Sequence, residues 1–392
     1  MNQNFTMNAS LIAKSFQEKF NSTPTLQVKA PGRINLIGEH TDYNDGFVLP
    51  AAIDKAIYFS LRPREDDQIR LYAVDLNDEI NLNLQNRKKS KKAWANFLIG
   101  VINELLERGA QITHGFDLAF GGDVPLGAGM SSSAAIESGM GFALNQMFQL
   151  GLSRLQLAKI AQLAEHNFAG VKCGIMDMYA SLFGKSEHLI KLDCRYLSHE
   201  YLPFSFDEVS VVLFNTGVKH NLADSAYNKR REECERGVEI LKQRNPDILS
   251  LRDATSDDVN AAKSEMTEDV YKRCFFVTSE TRRMMEATDA LNNQNLIRFG
   301  ELMYETHDGL SQDYEVSCTE LDFLVNLVRD KTGVFGARMM GGGFGGCTIN
   351  LIDKSKAREI ICDVTKAYKD QFGFEAEHFE VCITDGCTVV SG

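Results

Sequence analysis

No Cys-x-x-Cys pair occurs among the nine scattered cysteines of this 392-residue chain. That absence argues against a zinc site, and the odd count argues against a disulfide framework. Reduced thiols and a cytoplasmic location are the expectation. No apolar run reaches the roughly 20 residues of a membrane-spanning helix. Met1 to Ser10 also lacks the basic start and apolar stretch of a signal peptide, so no membrane partner is expected. The net charge of −12 opposes nucleic-acid binding. Prolines number only seven, and no repeat or low-complexity linker marks a boundary. Three nucleotide-site motifs are missing. The sole Gly-Lys-Ser, at 184–186, has Tyr179 where a Walker A loop needs glycine. No acidic residue closes a Rossmann unit. His-Arg-Asp and Asp-Phe-Gly, the protein-kinase signatures, do not occur.

What is present is concentrated in three segments. Residues 29–43 start as an apolar strand and end in Glu39, His40, Thr41 and Asp42, with Arg33 upstream. Alternating strand faces let Ile34, Leu36 and Ile37 hold a core while the polar end opens into a cleft. Two carboxylates, an imidazole and a hydroxyl suit a polyhydroxylated ligand. A polar turn after a buried strand is the plainer reading. Residues 121–135 carry Gly127-Ala128-Gly129-Met130-Ser131-Ser132-Ser133 ahead of an apolar helical pattern. Glycines let backbone amides approach an anion, and the serines sit where a helix starts. A helix N-terminus binds phosphate, and three serines exceed what a cap needs. The third segment, Gly341 to Cys347, has five glycines in six positions. Either a tight turn or a close backbone approach explains it.

The remaining pattern is mixed α and β. Residues 68–74, 79–84 and 209–214 read as strands, and 96–108, 136–149, 154–166, 230–243 and 271–292 as helices. Tyr196 to Pro203 interrupts the pattern, which places a domain boundary near residue 200. Single residues stay ambiguous. Asp177 also reads as a helix-start acid, Glu165 as a solvated face residue, and His40 and His166 as structural histidines. Trp94, the only tryptophan, also reads as core, and Tyr227 leads into an exposed charge run. The basic run Arg87 to Lys92 reads as a solvated loop.

Gly32 to Tyr43 resembles the galactokinase signature. Pro125 to Ala134 resembles the phosphate loop of the GHMP small-molecule kinases, and Arg338 to Cys347 their third motif. The order and spacing of the three are similar to that family along the whole chain. The resemblance implies an α+β fold of two domains. A ribosomal-protein-S5-like half would cover 1–200 and a ferredoxin-like half 201–392, with the site in the cleft between them. It implies ATP-dependent phosphorylation of galactose at the C1 hydroxyl, by a monomer. The alternatives are a kinase for N-acetylgalactosamine or another C1-hydroxyl sugar, or a galactose and ATP sensor without chemistry. Asp177, in Gly174-Ile175-Met176-Asp177, is then the catalytic base, with Arg33 offsetting charge on the transferred group. Glu39, His40, Thr41, Asp42, Gly174 and Tyr227 would bind the sugar. Trp94 would flank the adenine, and Gly127, Ala128, Gly129, Met130, Ser131, Ser132 and Ser133 would hold the ATP phosphates. Mg2+ would sit on Ser133 and Glu165. One departure is visible: residue 178 is Met, where many members carry Gln.

Overall fold

The computed structural model describes residues 7–125, 127–204, 206–218 and 223–390, with only the backbone of 223–225. Leu126 of the glycine–serine loop and Lys219-His220, ahead of Tyr227, lie outside them, as do residues 1–6. The chain opens with α1 (Ala9–Phe20), β1 (Leu26–Asn35), β2 (Phe47–Val48), β3 (Pro50–Pro63), β4 (Gln68–Ala73) and β5 (Asp78–Asn83). Next come α2 (Ala93–Glu107), β6 (Phe116–Gly122), α3 (Ser132–Met147), α4 (Arg154–Ala164), α5 (Met176–Phe183), β7 (His188–Asp193) and β8 (Ser198–Pro203). Then follow β9 (Val209–Asn215), α6 (Ala223–Arg244), α7 (Ser256–Ala261), α8 (Glu268–Asn292), α9 (Leu296–Gln312) and α10 (Thr319–Arg329). The chain closes with β10 (Val334–Met339), β11 (Cys347–Asp353), α11 (Ala357–Phe372), β12 (Glu377–Val381) and β13 (Thr388–Val389).

Three sheets result. The largest has the order β13-β1-β3-β6-β4-β5, antiparallel except for the β4–β6 pair. The second has the order β10-β11-β9-β12, and the third β2-β7-β8. The second sheet buries Val212, Phe214, Ile352 and Tyr368 in a core with α10 and α11. Helices α3 and α5 pack on β1 and β3, α1 packs on β3 and β6, and β1 is buried along its second half. Residues 30–37 are all buried, the polar Arg33 and Asn35 included. Ile34, Leu36 and Ile37 are fully buried, as the segment predicts.

The five helices predicted from periodicity are all present. Four of them begin earlier than their apolar periodicity, because their first turns carry polar or small residues. Helix α4 instead starts where expected, behind a Ser153–Gln156 capping box. The predicted interruption at 196–203 is a correction: Ser198–Pro203 is strand β8, paired along its length with β7. Its outward residues Ser198, Glu200 and Pro203 are exposed, as suits the edge of a small sheet.

Helix α3 lies tightly on β1 and β3, and two of its glycines differ in what surrounds them. A Cβ on Gly139 would stand 2.3 Å from the Phe59 ring and 2.6 Å from Ala30 Cβ. A Cβ on Gly141 would meet only Leu157 at 3.6 Å and Val101 at 3.7 Å, ordinary contact distances. Gly139→Ala is therefore expected to lower stability by about 1–3 kcal/mol through overpacking. Gly141→Ala is expected to raise it by about 0.5–1 kcal/mol by removing a flexible residue from a helix interior. Denaturant unfolding of both variants checks the pair, and equal effects would contradict the packing described.

Candidate functional site

The polar end of β1 and the start of α5 face each other across one cavity of about 140 Å³. Its lining includes Arg33, Glu39, His40, Asp42, Glu165, Cys173, Gly174, Asp177, Tyr227, Gly341 and Gly342. Residues from both halves of the chain thus meet at a single point, and eight of the predicted site residues are among them.

The centre is a two-pronged ion pair. Arg33 Nε donates to Asp177 Oδ1 at 2.7 Å and Nη2 to Oδ2 at 2.7 Å. Such parallel bonds fix orientation as well as charge. Nη1 of Arg33 donates to the Gly129 carbonyl, so the guanidinium also holds the glycine–serine loop. Ser131 donates its hydroxyl to Asp177 Oδ2. Ser131 holds the N-cap position of α3, but its side chain serves Asp177, and its backbone is left-handed at φ 59°. The first N–H groups of α3 are therefore not taken by that side chain, the condition for an anion site at a helix N-terminus.

The third glycine cluster is a close approach, not a plain turn. A Cβ on Gly346 would lie 3.3 Å from the Ala128 backbone, and one on Gly341 3.3 Å from the Gly129 carbonyl. The two glycine loops lie against each other, which side chains would prevent. Ala128 and Met130 are buried and hold this contact from inside.

Glu39, His40 and Asp42 are carried by a turn whose shape is set from a distance. Gly38 has φ 95° and a Cβ there would strike the Phe47 carbonyl at 2.6 Å. Its N–H donates to the buried Glu280 carboxylate on α8 at 2.8 Å. Glu39 accepts from Arg338 at 3.0 Å and from the Gly341 N–H at 2.8 Å. Arg338 is fully buried and also donates to the carbonyls of Asn35, Leu36 and Met339. Gly174 must be glycine, because a Cβ would fall 1.7 Å from Asp42 Oδ2. Thr41 lies outside the cavity lining, with its hydroxyl between the Gly38 and Phe47 carbonyls. Trp94 also lies outside the lining. Its indole N–H donates to Asp78 Oδ2 at 2.9 Å, and Lys92 of the basic run pairs with the same carboxylate.

Burial makes these groups resist charge. Asp42 is pushed up to about 7, first by desolvation and then by Asp177. Glu165 is pushed up to about 7 by desolvation and Asp177, against hydrogen bonds from Ser133, Glu137 and Cys173. His40 is held down at about 3, chiefly by burial, so its ring is neutral. Glu165 sits in the π-helical turn Glu165–Ala169, a feature often found at functional sites. Behind it is Glu137, fully buried, its carboxyl raised well above the usual range by burial and Glu165. Sequence reasoning passed over Glu137, although it stands four residues after Ser133 on the same face of α3. The roles of Arg338, Cys173, Glu280 and the Tyr43–Tyr314 contact were also missed; Arg338 and Tyr43 lie in the motifs and Cys173 beside one, whereas Glu280 and Tyr314 lie in none.

Among the described residues no three His, Cys, Asp or Glu side chains form a metal cage. Ser133 and Glu165 still offer hard oxygen donors, and Glu165 is a buried carboxylate without a cationic partner. That suits Mg2+, which takes few protein ligands and completes its shell with water and phosphate.

Three family profiles match the chain. A galactokinase galactose-binding signature covers residues 14–63, a GHMP kinase N-terminal domain 96–185, and a GHMP kinase C-terminal domain 287–370. A galactokinase of Roseiflexus sp. is 40% identical over 96% of this chain and 95% of its own length. A galactokinase of Lactiplantibacillus plantarum is 40% identical over 97% of this chain and 99% of its own. The crystal structure of Lactococcus lactis galactokinase complexed with galactose superposes with a TM-score of 0.93 at 35% identity, covering 97% and 99% of the two chains. A Methanococcus jannaschii mevalonate kinase shares the fold at TM-score 0.64 and 18% identity. The α+β fold of two GHMP halves is the one the motifs implied.

Two of the shifted groups give opposite pH dependences. The folded protein holds a proton on Asp42 up to about pH 7, against an ordinary value of 3.8. Its contribution is complete below the ordinary value and is lost as pH rises through 7. His40 does the reverse. Below its ordinary value of 6.5 the unfolded chain gains a proton that the folded protein refuses down to about 3. Stability from His40 therefore rises with pH in that window. The two slopes oppose each other in the wild type. Asp42→Asn is expected to unmask the His40 slope, gaining stability relative to wild type as pH goes from about 5 to 7. Urea unfolding at three pH values checks this, and parallel profiles would contradict it.

Proposed function

Since this chain belongs to the galactokinase family of the GHMP kinases, we propose that it transfers the terminal phosphoryl group of ATP to the C1 hydroxyl of galactose. The observation that carries this reading is convergence: the galactose-binding signature, the Arg33–Asp177 pair and the glycine–serine loop meet at one cavity. The intact Ser131 to Ser133 and Asp177 disfavour a sensor without chemistry. The curated relatives quoted above are galactokinases, which disfavours the N-acetylgalactosamine reading.

Phosphoryl transfer to an alcohol needs positioning and charge neutralisation more than covalent chemistry. Asp177 accepts the C1 proton on Oδ1, the oxygen engaged by Arg33 Nε alone. Oδ2 is occupied by Arg33 and Ser131, so the carboxylate presents one face. The proton leaves the C1 hydroxyl as the new P–O bond forms. Arg33 lies buried beside the path of the transferred group and offsets charge that grows there. The glycine–serine loop and the start of α3 hold the phosphates. Mg2+, held by Ser133 and Glu165 when bound, supplies charge neutralisation between the transferred and leaving phosphates. Glu39, His40, Asp42 and Tyr227 read the sugar hydroxyls, Gly174 gives Asp42 its room, and Thr41 shapes their turn. We place Trp94 at the adenine side, on the family resemblance alone.

The domain division at 1–200 and 201–392 belongs to this reading, with β8 at the seam. So do a cytoplasmic monomer and the absence of nucleic-acid and membrane partners. The net charge of −12 and nine free cysteines support it. Among the described residues no helix is long and apolar enough to cross a membrane.

A coupled assay of ATP consumption across hexoses tests the substrate. Glucose differs from galactose in the orientation of O4, and a mispaired buried group costs about 1–3 kcal/mol, or roughly one to two decades in kcat/KM. A preference for glucose or N-acetylgalactosamine would overturn the substrate and leave the kinase standing. Asp177→Asn is expected to fold, bind galactose and lose about 10²–10⁴-fold in turnover. Near-normal turnover would remove Asp177 as the base. Ser133→Ala is expected to weaken use of Mg-ATP while calorimetric galactose affinity holds, and a large loss of sugar affinity would reject its assignment.

A further inference from the structure

His40 lines the cavity, and its Nδ1 belongs to a chain of hydrogen bonds leading away from it. Nδ1 contacts the Tyr43 hydroxyl at 2.7 Å. That hydroxyl contacts Tyr314 Oη at 2.8 Å, which contacts Cys234 Sγ at 3.2 Å. Tyr314 and Cys234 are fully buried and come from elements far along the chain, the loop after α9 and helix α6. The Tyr314 ring also packs on His40, with centroids 4.8 Å apart. Nε2 of His40 is buried and has no protein partner.

A phenol has one proton to give, so this chain runs in one sense or the other. If protons point from Cys234 toward His40, Tyr43 donates to Nδ1 and the imidazole carries its proton on Nε2. If they point the other way, Nε2 is bare. Three observations select the first sense. A thiol sulfur is a weak acceptor, so the Tyr314 hydroxyl gives its proton to the Tyr43 oxygen rather than to Cys234. A neutral imidazole nitrogen is the strongest acceptor on the chain, so the Tyr43 hydroxyl gives its proton to Nδ1. The cavity offers the carboxylates of Glu39 and Asp177 as acceptors, while Arg33 gives three of its N–H donors to Asp177 and Gly129. A sugar oxygen whose proton goes to a carboxylate needs a donor, and Nε2–H is one.

We propose that Tyr314 is a positioning residue that, through Tyr43, fixes His40 as the Nε2–H tautomer and so sets its hydrogen-bond polarity toward the sugar. This rests on the galactose reading for the identity of the ligand. The tautomer itself exists without any ligand.

The test is ¹⁵N NMR of histidine-labelled, sugar-free protein, with the His40 signals identified by their loss in His40→Gln. Wild type is expected to show Nε2–H alone, and Tyr314→Phe a mixture or the Nδ1–H form. In the coupled assay, Tyr314→Phe is expected to raise the galactose KM by about tenfold, the worth of one mispaired buried hydrogen bond, with kcat and the ATP KM unchanged. Tyr43→Phe with Tyr314→Phe is expected to be no worse than Tyr43→Phe alone, since both cut one chain. Cys234→Ala, which leaves both phenol rings in place, is expected to shift the tautomer in the same direction and covers the case in which Tyr314→Phe does not fold. An unchanged Nε2–H signal in the folded variants, additive losses, or a fall in kcat at constant KM would overturn the proposal. A shifted tautomer in a protein that does not use galactose would overturn the substrate and leave the relay intact.

Discussion

Arg338 is the side chain on which the rest depends. It is a fully buried cation on the last turns of β10, and the interior gives it no water. Its hydrogen bonds run to the carbonyls of Asn35, Leu36 and Met339 and to Glu39. Removing one partner of such a pair leaves a bare buried charge, which costs roughly 3–5 kcal/mol. The C-terminal half is thereby committed to the turn that follows β1. A second buried charge repeats the design: Glu280 accepts from the Gly38 N–H, from Thr306 and from Arg283. The chain's end returns as β13 to pair with β1. The turn that carries Glu39, His40 and Asp42 is thus held from both halves of the chain.

The cavity is a poor place for its own carboxylates. Asp42 and Glu165 are both pushed up toward 7, and in both cases burial and Asp177 are the first two causes. Sugar hydroxyls that donate to Asp42, and a cation beside Glu165, would relieve what the fold imposes. Such stored tension is typical of functional sites and is tolerated because the surrounding structure over-determines it. The Arg33–Asp177 pair needs no such relief, since each carboxylate oxygen already has its guanidinium donor.

Local patterns in the sequence located the polar end of β1 and the glycine–serine loop, because chemistry needs unusual residues close together. Asp177, Glu165, Gly174 and Tyr227 carry no such pattern and were placed by the family resemblance. What supports them was not legible. Arg338, Glu280 and Tyr314 act across 240 or more positions of sequence, and no spacing rule links them to Gly38, Glu39 or Tyr43. Thr41 and Trp94 show the converse. Thr41 stands between site residues but satisfies backbone carbonyls, and Trp94 is tied to Asp78. The glycine cluster at 341–346 was ambiguous because glycine reports only that a side chain is excluded, and the excluding partner, the 127–130 loop, lies some 200 residues away. Strand β8 was read as a break since its exposed edge carries polar residues at alternate positions.

The central claim is that the buried Arg338–Glu39 contact, and not the polar turn alone, makes the sugar site. A double-mutant cycle with Glu39→Gln and Arg338→Met, read as galactose affinity by calorimetry, tests it most directly. The account predicts a coupling of about 1–3 kcal/mol between the two positions. Additive losses, with coupling near zero, would contradict it.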